Sequence, residues 1–319
     1  MELTNKRVIR ELLKKYNARP EKHLGQHFIL SKKAFALMIT AAEINSDAQR
    51  GRSSDRKRRR KTDTIIEIGP GLGTLTQELA KTCANVIAIE KDPLMIKILK
   101  ETLADYKNVK IIQADARQMS LFLPGVRHRV KSGKGVDKFN KYNRYKIAAN
   151  LPYNIATFLI RQWLESKNPP QMMVLMIQKE VARRIVAKPP RANLLGVSVQ
   201  FYADAEIIDY IKKESFWPKP KVDAAIIKII PHSKKGLAAF ASDRKQMMTD
   251  SAIKAFFSIV KAGFSQPRKQ LIGNLLKKLN IPKEQIISTF KNLDISKKIR
   301  AENLSLNDWQ KLASELIHN

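Results

Sequence analysis

The 319-residue chain has a single cysteine, Cys83. One thiol supports neither an internal disulfide framework nor a thiolate zinc site. The five histidines, His23, His27, His128, His232 and His318, are scattered without the spacing of a metal centre. No apolar run approaches the roughly 20 residues of a membrane-spanning helix. The start, MELTNKRVIRELLKKYN, lacks an apolar signal core, and Glu2 and Glu11 argue against a transit peptide, so a cytoplasmic protein is expected. Acid is the most telling shortage: 29 Asp and Glu stand against 60 Lys and Arg, a net charge of +31. A solvated surface does not need that excess, whereas a polyanionic partner does. Without a membrane span, nucleic acid is favoured over an anionic bilayer.

Hydrophobic residues make up 44% of the chain, enough for a packed core. From residue 64, short β-branched runs (TIIEIG, NVIAIE, NVKIIQAD, YKIAAN, MMVLMIQ) recur with room for a helix or loop between them. Near-continuous apolar strands of this kind belong in a parallel sheet covered on both faces. AEIIDYI and DAAIIKII, joined by the Pro-rich SFWPKPK, are expected to add an antiparallel hairpin at the sheet edge. Residues 1–233 therefore read as one α/β domain. Beyond Pro231 the apolar spacing changes to three and four, predicting a small helical domain over 234–319. Pro267 and Pro282 fall at expected first-turn positions, and Ser305 with Asp308 makes a capping-box-like start. Two basic inserts interrupt the first domain, 49–62 (QRGRSSDRKRRRKT) and 126–146 (VRHRVKSGKGVDKFNKYNRYK), each net +7. Lacking periodicity, both are expected to be loops, either idle and solvated or in contact with phosphates. KRRRK also has the composition of a nuclear-import cluster.

IIEIGPGLGT carries Gly69, Gly71 and Gly73 from a strand into a helix, where glycines let the backbone approach a ligand. Taken alone, it is equally a tight strand-to-helix turn. Glu90 ends the next strand, where an acid accepts from ribose hydroxyls, or is simply a solvated charge. Asp115 ends the third, placed to accept from an adenine amine or to cap a helix. Together they describe an adenosine-containing ligand. Nothing prepares for a pyrophosphate, so S-adenosylmethionine is favoured over NAD. Asn150-Leu151-Pro152-Tyr153 ends the fourth strand and borders the same cleft. A strand-ending turn explains it, and so does chemistry. An exocyclic adenine amine is a poor nucleophile because its lone pair is delocalised into the ring. The Asn150 oxygen and a carbonyl of the Leu151-Pro152 unit are placed to accept its two N–H bonds, stabilising charge developing on nitrogen. The Tyr153 ring then stacks on the base.

An N-L-P-Y turn after a Gly-rich cofactor domain resembles the ribosomal RNA adenine dimethyltransferase family. HLGQHFI (23–29), FWPKPKVD (216–223), FSQPRKQL (264–271) and RAENLS (300–305) are similar to further family blocks in the family's order, across nearly the whole chain. The resemblance implies a class I S-adenosylmethionine-dependent methyltransferase fold, Rossmann-like with a mostly parallel seven-stranded sheet, plus the small helical domain. It implies cofactor contacts at His27, Ile29, Gly69, Gly71, Glu90, Asp115 and Asn150. Asn150, Leu151, Pro152 and Tyr153 become catalytic, with Phe216 stacking on the base opposite Tyr153. Arg268, Lys269, Lys219 and Lys221 become RNA contacts. The implied reaction is dimethylation of two adjacent adenines in the 3′-terminal hairpin of small-subunit rRNA, by a monomer acting on an immature 30S-type subunit, with no metal. A related large-subunit rRNA methylase that confers antibiotic resistance and a largely non-catalytic assembly factor are the alternatives. The chain departs from the family at His27 and Ile29, where Asn and Leu are commoner, at NLLGVSVQ (193–200), at Pro267, where a further Arg is common, and in the basic inserts.

Overall fold

In the computed structural model, residues 1–21, 25–44, 64–82, 85–118, 145–232 and 250–318 are described. The expected apolar runs form strands β2 (Thr64–Ile68), β3 (Asn85–Glu90), β4 (Val109–Gln113), β5 (Tyr145–Asn150), β6 (Met172–Gln178), β7 (Ala203–Ile211) and β9 (Ala224–Pro231). They make one seven-stranded sheet in the order β4-β3-β2-β5-β6-β9-β7. From β4 to β6 every pairing is parallel, with Ile66 opposite both Ile87 and Ile147. The final strand β9 runs antiparallel to β6, with Leu175 opposite Ile227. β2 is buried along its whole length, as a parallel strand covered on both faces requires. Helix α1 (Lys6–Lys15) precedes strand β1 (Phe28–Ile29). Helices α2 (Lys32–Ala41), α3 (Thr74–Lys81), α4 (Pro93–Thr102) and α5 (Ala156–Leu164) intervene between β1 and β6 in the chain, and α6 (Lys179–Val186) follows β6. Each buries an apolar face, for example Met95, Ile98 and Leu99 of α4.

The last two large strands do lie side by side at the edge, but their connection is not a tight hairpin. Residues 212–223 leave the sheet, and β8 (Phe216–Trp217) pairs antiparallel with β1 (Phe28–Ile29), Ile29 opposite Phe216. Pro218 and Pro220 lack the N–H groups that a continuous ladder would use. This small ribbon joins the FWPKPKVD block to the HLGQHFI block.

A second difference concerns the insert expected over 126–146. Tyr145 and Lys146 already belong to β5, and Lys146 is 7% exposed. Its Nζ donates to the carbonyls of Ala42 (3.0 Å) and Glu43 (2.7 Å), at the end of α2 (Lys32–Ala41). A lysine counted as a loop cation is a buried pin between a helix end and a strand. The rest of that insert, all of insert 49–62, Cys83, His23 and His128 lie outside the described residues.

The chain divides into two compact units: Met1–Ala182 with Glu206–Pro231, and Arg183–Ala205 with His232–Asn319. The strand signal ends where the first unit ends, yet 183–205 folds with the helical unit. Val197, on α7 (Leu194–Gln200), and Phe201 join Phe256, Phe257 and Val260 of α8 (Asp250–Gly263) in one buried cluster. The same cluster takes Leu271 and Leu275 of α9 (Leu271–Lys278), Phe290 of α10 (Lys283–Asn292), and Trp309 and Leu312 of α11 (Leu306–His318). Pro282 is the N-cap of α10, and Pro267 lies ahead of α9, so neither occupies the first turn. The capping box forms as expected: Ser305 N–H donates to Asp308 Oδ2 (2.9 Å), and Asp308 N–H to Ser305 Oγ (3.2 Å).

Gly263, the last residue of α8, leaves room for Trp309: an added Cβ would lie 2.4 Å from Trp309 Cη2 and 2.8 Å from Leu271 Cδ1. Alanine gains up to about 1 kcal/mol of helix propensity, but overpacking a filled core costs about 1–3 kcal/mol. Gly263→Ala is expected to lower the unfolding temperature of the helical unit, measured by thermal denaturation; an unchanged or raised midpoint would contradict this packing.

Candidate active site

The strand order reverses at β2, flanked by β3 on one side and β5 on the other. Ligands of open parallel sheets bind at the carboxyl ends of strands beside such a reversal. A cavity of about 310 Å3 lies there, lined from successive strand ends by Gly69 and Gly71, Glu90, Asp115 and Asn150, with His27 and Ile29 from the N-terminal segment. Gly69, Gly71 and Gly73 have φ of +65°, +58° and +89°, so the turn uses left-handed backbone that side-chain-bearing residues adopt only with strain. At Gly73 a Cβ would also crowd Leu99, Leu103 and Thr102 at 3.1–3.2 Å.

Glu90 is oriented by backbone. The N–H groups of Lys91 (2.7 Å) and Asp92 (2.9 Å) donate to Oε1, and Gly71 N–H reaches Oε2 at 3.4 Å. Burial pushes its carboxyl above the ordinary range, against the pull of those amides. Asp115 also lines the cavity, but its carboxylate is engaged by Arg117 (Nη2 to Oδ2, 2.6 Å) and Lys91 (3.2 Å). The Arg117 hydrogen bonds hold it well below the usual carboxylate range. An amine donating to Asp115 therefore shares it with a guanidinium.

Glu67 is a cavity residue the sequence reading passed over. It sits inside β2, 2% exposed, and its Oε2 has no hydrogen-bond partner among the described residues. Burial pushes its carboxyl up to about 8, and the charge of Glu90 adds to the rise. The available signal was an acid in the middle of the apolar run TIIEI. Below about pH 8 the carboxyl keeps its proton, so Glu67 brings a neutral polar group to the cavity lining.

The N-L-P-Y turn is fixed by residues from distant parts of the chain. Asn150 Nδ2 donates to the His27 carbonyl (3.3 Å), which leaves its Oδ1 as the acceptor end of the amide. His27 Nδ1 lies 2.6 Å from the Pro218 carbonyl; a carbonyl only accepts, so Nδ1 carries the proton. Leu151, 1% exposed, donates its N–H to Met176 O (3.1 Å). Gly25, at φ +67°, packs so closely on the turn that a Cβ would lie 3.4 Å from Pro152 Cβ. The Tyr153 ring stacks on His27, centroids 6.2 Å apart at 25°. Its hydroxyl is buried without a partner among the described residues, and burial pushes its pKa up to about 12, with Asp223 adding to the rise.

Other expected site residues stand apart from the cavity lining. Phe216 is 3% exposed and packs with Ile29, Phe35 and Met38, so no base can lie on it unless the Pro-rich turn rearranges. Lys219 pairs with Glu214 (2.7 Å), and Lys221 is exposed. In the helical unit, exposed Arg268 and Lys269 share a shallow groove with Lys298 and Arg300. Among the described residues no cluster of His, Cys, Asp or Glu could hold a metal ion, and no helix is long and apolar enough to cross a membrane.

Strand-end acids around a glycine turn, at the reversal of a mostly parallel sheet, make this a class I S-adenosylmethionine-dependent methyltransferase. Within that class the chain belongs to the ribosomal RNA adenine dimethylase family, which it matches over residues 3–318. It is similar to the Ribosomal RNA small subunit methyltransferase A of Dehalococcoides mccartyi strain BAV1, with 34% identity over 310 residues, 97% of this chain and 93% of the relative. The protein of the same name from Clostridium botulinum type A is 35% identical over 306 residues, covering 95% and 96%. In fold it is similar to a dimethyladenosine transferase from Plasmodium falciparum (TM-score 0.64, 24% identity, 89% of this chain and 95% of that one). A similar likeness holds for the 23S rRNA methyltransferase ErmE (TM-score 0.63, 20% identity, 91% and 100%).

The buried acid gives a pH signature. In the unfolded chain Glu67 loses its proton near 4.5, whereas in the folded chain it keeps it up to about pH 8. Its contribution to stability is therefore complete below pH 4.5 and is lost as the pH rises through 8. Glu67→Gln, neutral throughout, is expected to gain in unfolding temperature relative to wild type between pH 5 and pH 9, in cofactor-free protein. Parallel curves would contradict the assignment.

Proposed function

We propose that the chain transfers methyl groups to the N6 amines of two adjacent adenines in the 3′-terminal hairpin of small-subunit rRNA, within an immature 30S-type subunit. The observation that carries this reading is the amide of Asn150, whose donor end is tied to His27 and whose acceptor end is left for an amine at the cavity. The small-subunit rRNA specificity is supported by the shared name of the relatives from Dehalococcoides and Clostridium.

In this reading Glu90 holds the ribose of S-adenosylmethionine, Asp115 the adenine amine, and the Gly69–Gly71 turn, with His27 and Ile29, the remainder. The bound cofactor supplies an electrophilic methyl group on a sulfonium. Asn150 Oδ1 accepts one N–H of the target amine. Pro152 O already closes the turn onto Ile155 N–H (3.2 Å), so the Leu151 carbonyl is the better acceptor for the second. Both acceptors strengthen their hold as nitrogen gains positive charge, which is where stabilisation accelerates the transfer. After the methyl moves, nitrogen releases its proton to water and the site needs no ionisable base. Tyr153 stacks on the extruded base, and the Pro-rich turn opens to bring Phe216 to its other face. An exocyclic amine is reached only when the base leaves its helix, which a hairpin loop makes inexpensive. Arg268 and Lys269 of the helical unit, and Lys219 and Lys221 of the first, contact phosphates.

Radiolabelled S-adenosylmethionine with ribosomal subunits lacking these methyl groups tests the reading. Label is expected in small-subunit rRNA; label confined to the large subunit would overturn it. Asn150→Ala is expected to lower single-turnover transfer at least 100-fold, on the order of 3 kcal/mol, while still binding the cofactor; undiminished turnover would remove Asn150 from the chemistry. Replacing Arg268 and Lys269 together by alanine should reduce the salt slope of RNA binding by about 1.4, at roughly 0.7 per single-stranded phosphate contact. An unchanged slope would make them bystanders.

A further inference from the structure

Phe158 is 52% exposed, unusually so for an aromatic residue on a packed helix. It lies in the first turn of α5, the helix that follows the N-L-P-Y turn. Asn154 and Ile155, four and three residues before it, both line the cofactor cavity. Ile155 is the N-cap of α5 and Asn154 precedes it, and a helical side chain leans over the turn preceding its own Cα. Phe158 therefore stands in the helical turn that follows two cavity-lining residues.

The surroundings of this ring are cationic and polar. Arg161 continues the same face and pairs with Glu165 at 2.6 Å, both on the exposed side of the helix. Gln162 donates to the carbonyl of Arg117 (3.2 Å), a residue that itself lines the cavity, with Lys91 beside Asp115 on the same rim. Exposed ion pairs of the Arg161–Glu165 kind are weak and exchange readily for other anions. An exposed aromatic ring with an arginine on the same helix face is the composition that binds single-stranded nucleic acid, stacking a base while the cation meets a phosphate.

We infer that Phe158 is a stacking platform for the nucleotide next to the adenine being methylated, with Arg161 meeting an adjoining phosphate. The inference rests on the reading that the substrate is an adenine in RNA. Extruding a base from its stack exposes the face of its neighbour, and an exposed aromatic ring in the turn after the cavity-lining residues covers that face. The interaction is with the substrate alone, so it contributes to RNA affinity and leaves the cofactor site unchanged.

The test compares Phe158→Ala, Phe158→Leu and Phe158→Trp with wild type on small ribosomal subunits lacking the adenine methyl groups, measuring kcat and KM for subunits and Kd for S-adenosylmethionine. Alanine and leucine are expected to raise KM for subunits about ten-fold, within the range of one base–aromatic stack. Tryptophan is expected to stay within two-fold of wild type, and cofactor Kd to be the same in all four proteins. Leucine matching wild type would show an apolar surface without stacking and would overturn the inference, as would four equal KM values. Wild-type protein that leaves the subunits unmethylated would instead refute the underlying substrate reading.

Discussion

The hydrogen bond from Asn150 Nδ2 to the His27 carbonyl organises the site. An amide side chain has a donor end and an acceptor end, and only the acceptor end suits an amine substrate. Securing the donor end on a backbone carbonyl decides which end faces the cavity. The carbonyl is in turn held by the rest of its residue. His27 is anchored through Nδ1 to Pro218, the next residues pair with Phe216 and Trp217, and Gly25 packs on Pro152. Three stretches separated by more than 60 residues are thus interlocked around one side chain.

The electrostatics add a second layer. A chain of net charge +31 places two buried carboxyls, Glu67 and Glu90, at its cofactor cavity. Both are pushed upward by burial, but only Glu90 is held by backbone amides on both oxygens. The cavity accordingly combines a protonated acid with one held by backbone amides, inside a protein whose net positive charge attracts polyanions. In the proposed reaction cofactor and RNA meet at the N-L-P-Y turn, whose Asn150 and Pro152 line that cavity.

Much of this was legible in the sequence because it depends on local signals. Continuous apolar runs announced the parallel strands, and residues at their ends, Gly69, Glu90, Asp115 and Asn150, fall together because such strands present their ends at one edge of the sheet. What depended on pairing between distant residues was not legible. The β1–β8 ribbon has two residues per strand and no period to detect, so the burial of Phe216 was hidden. Lys146 looked like one more cation in a basic run, although its place in the apolar strand YKIAAN already argued against solvent. Residues 183–205 were read as part of the first domain, and Val197 and Phe201 reveal their affiliation only through the buried cluster they share with Phe256 and Phe257. Glu67 was visible as an acid in an apolar strand, and only the fold shows that it reaches the cavity.

The central claim is that this site delivers methyl groups to the exocyclic amines of adjacent adenines. Mass spectrometry of the 3′-terminal rRNA hairpin, recovered from small subunits incubated with the protein and S-adenosylmethionine, tests it most directly. The account predicts two neighbouring N6,N6-dimethyladenosines. An unmodified hairpin, or methyl groups on ring nitrogens or ribose, would contradict it.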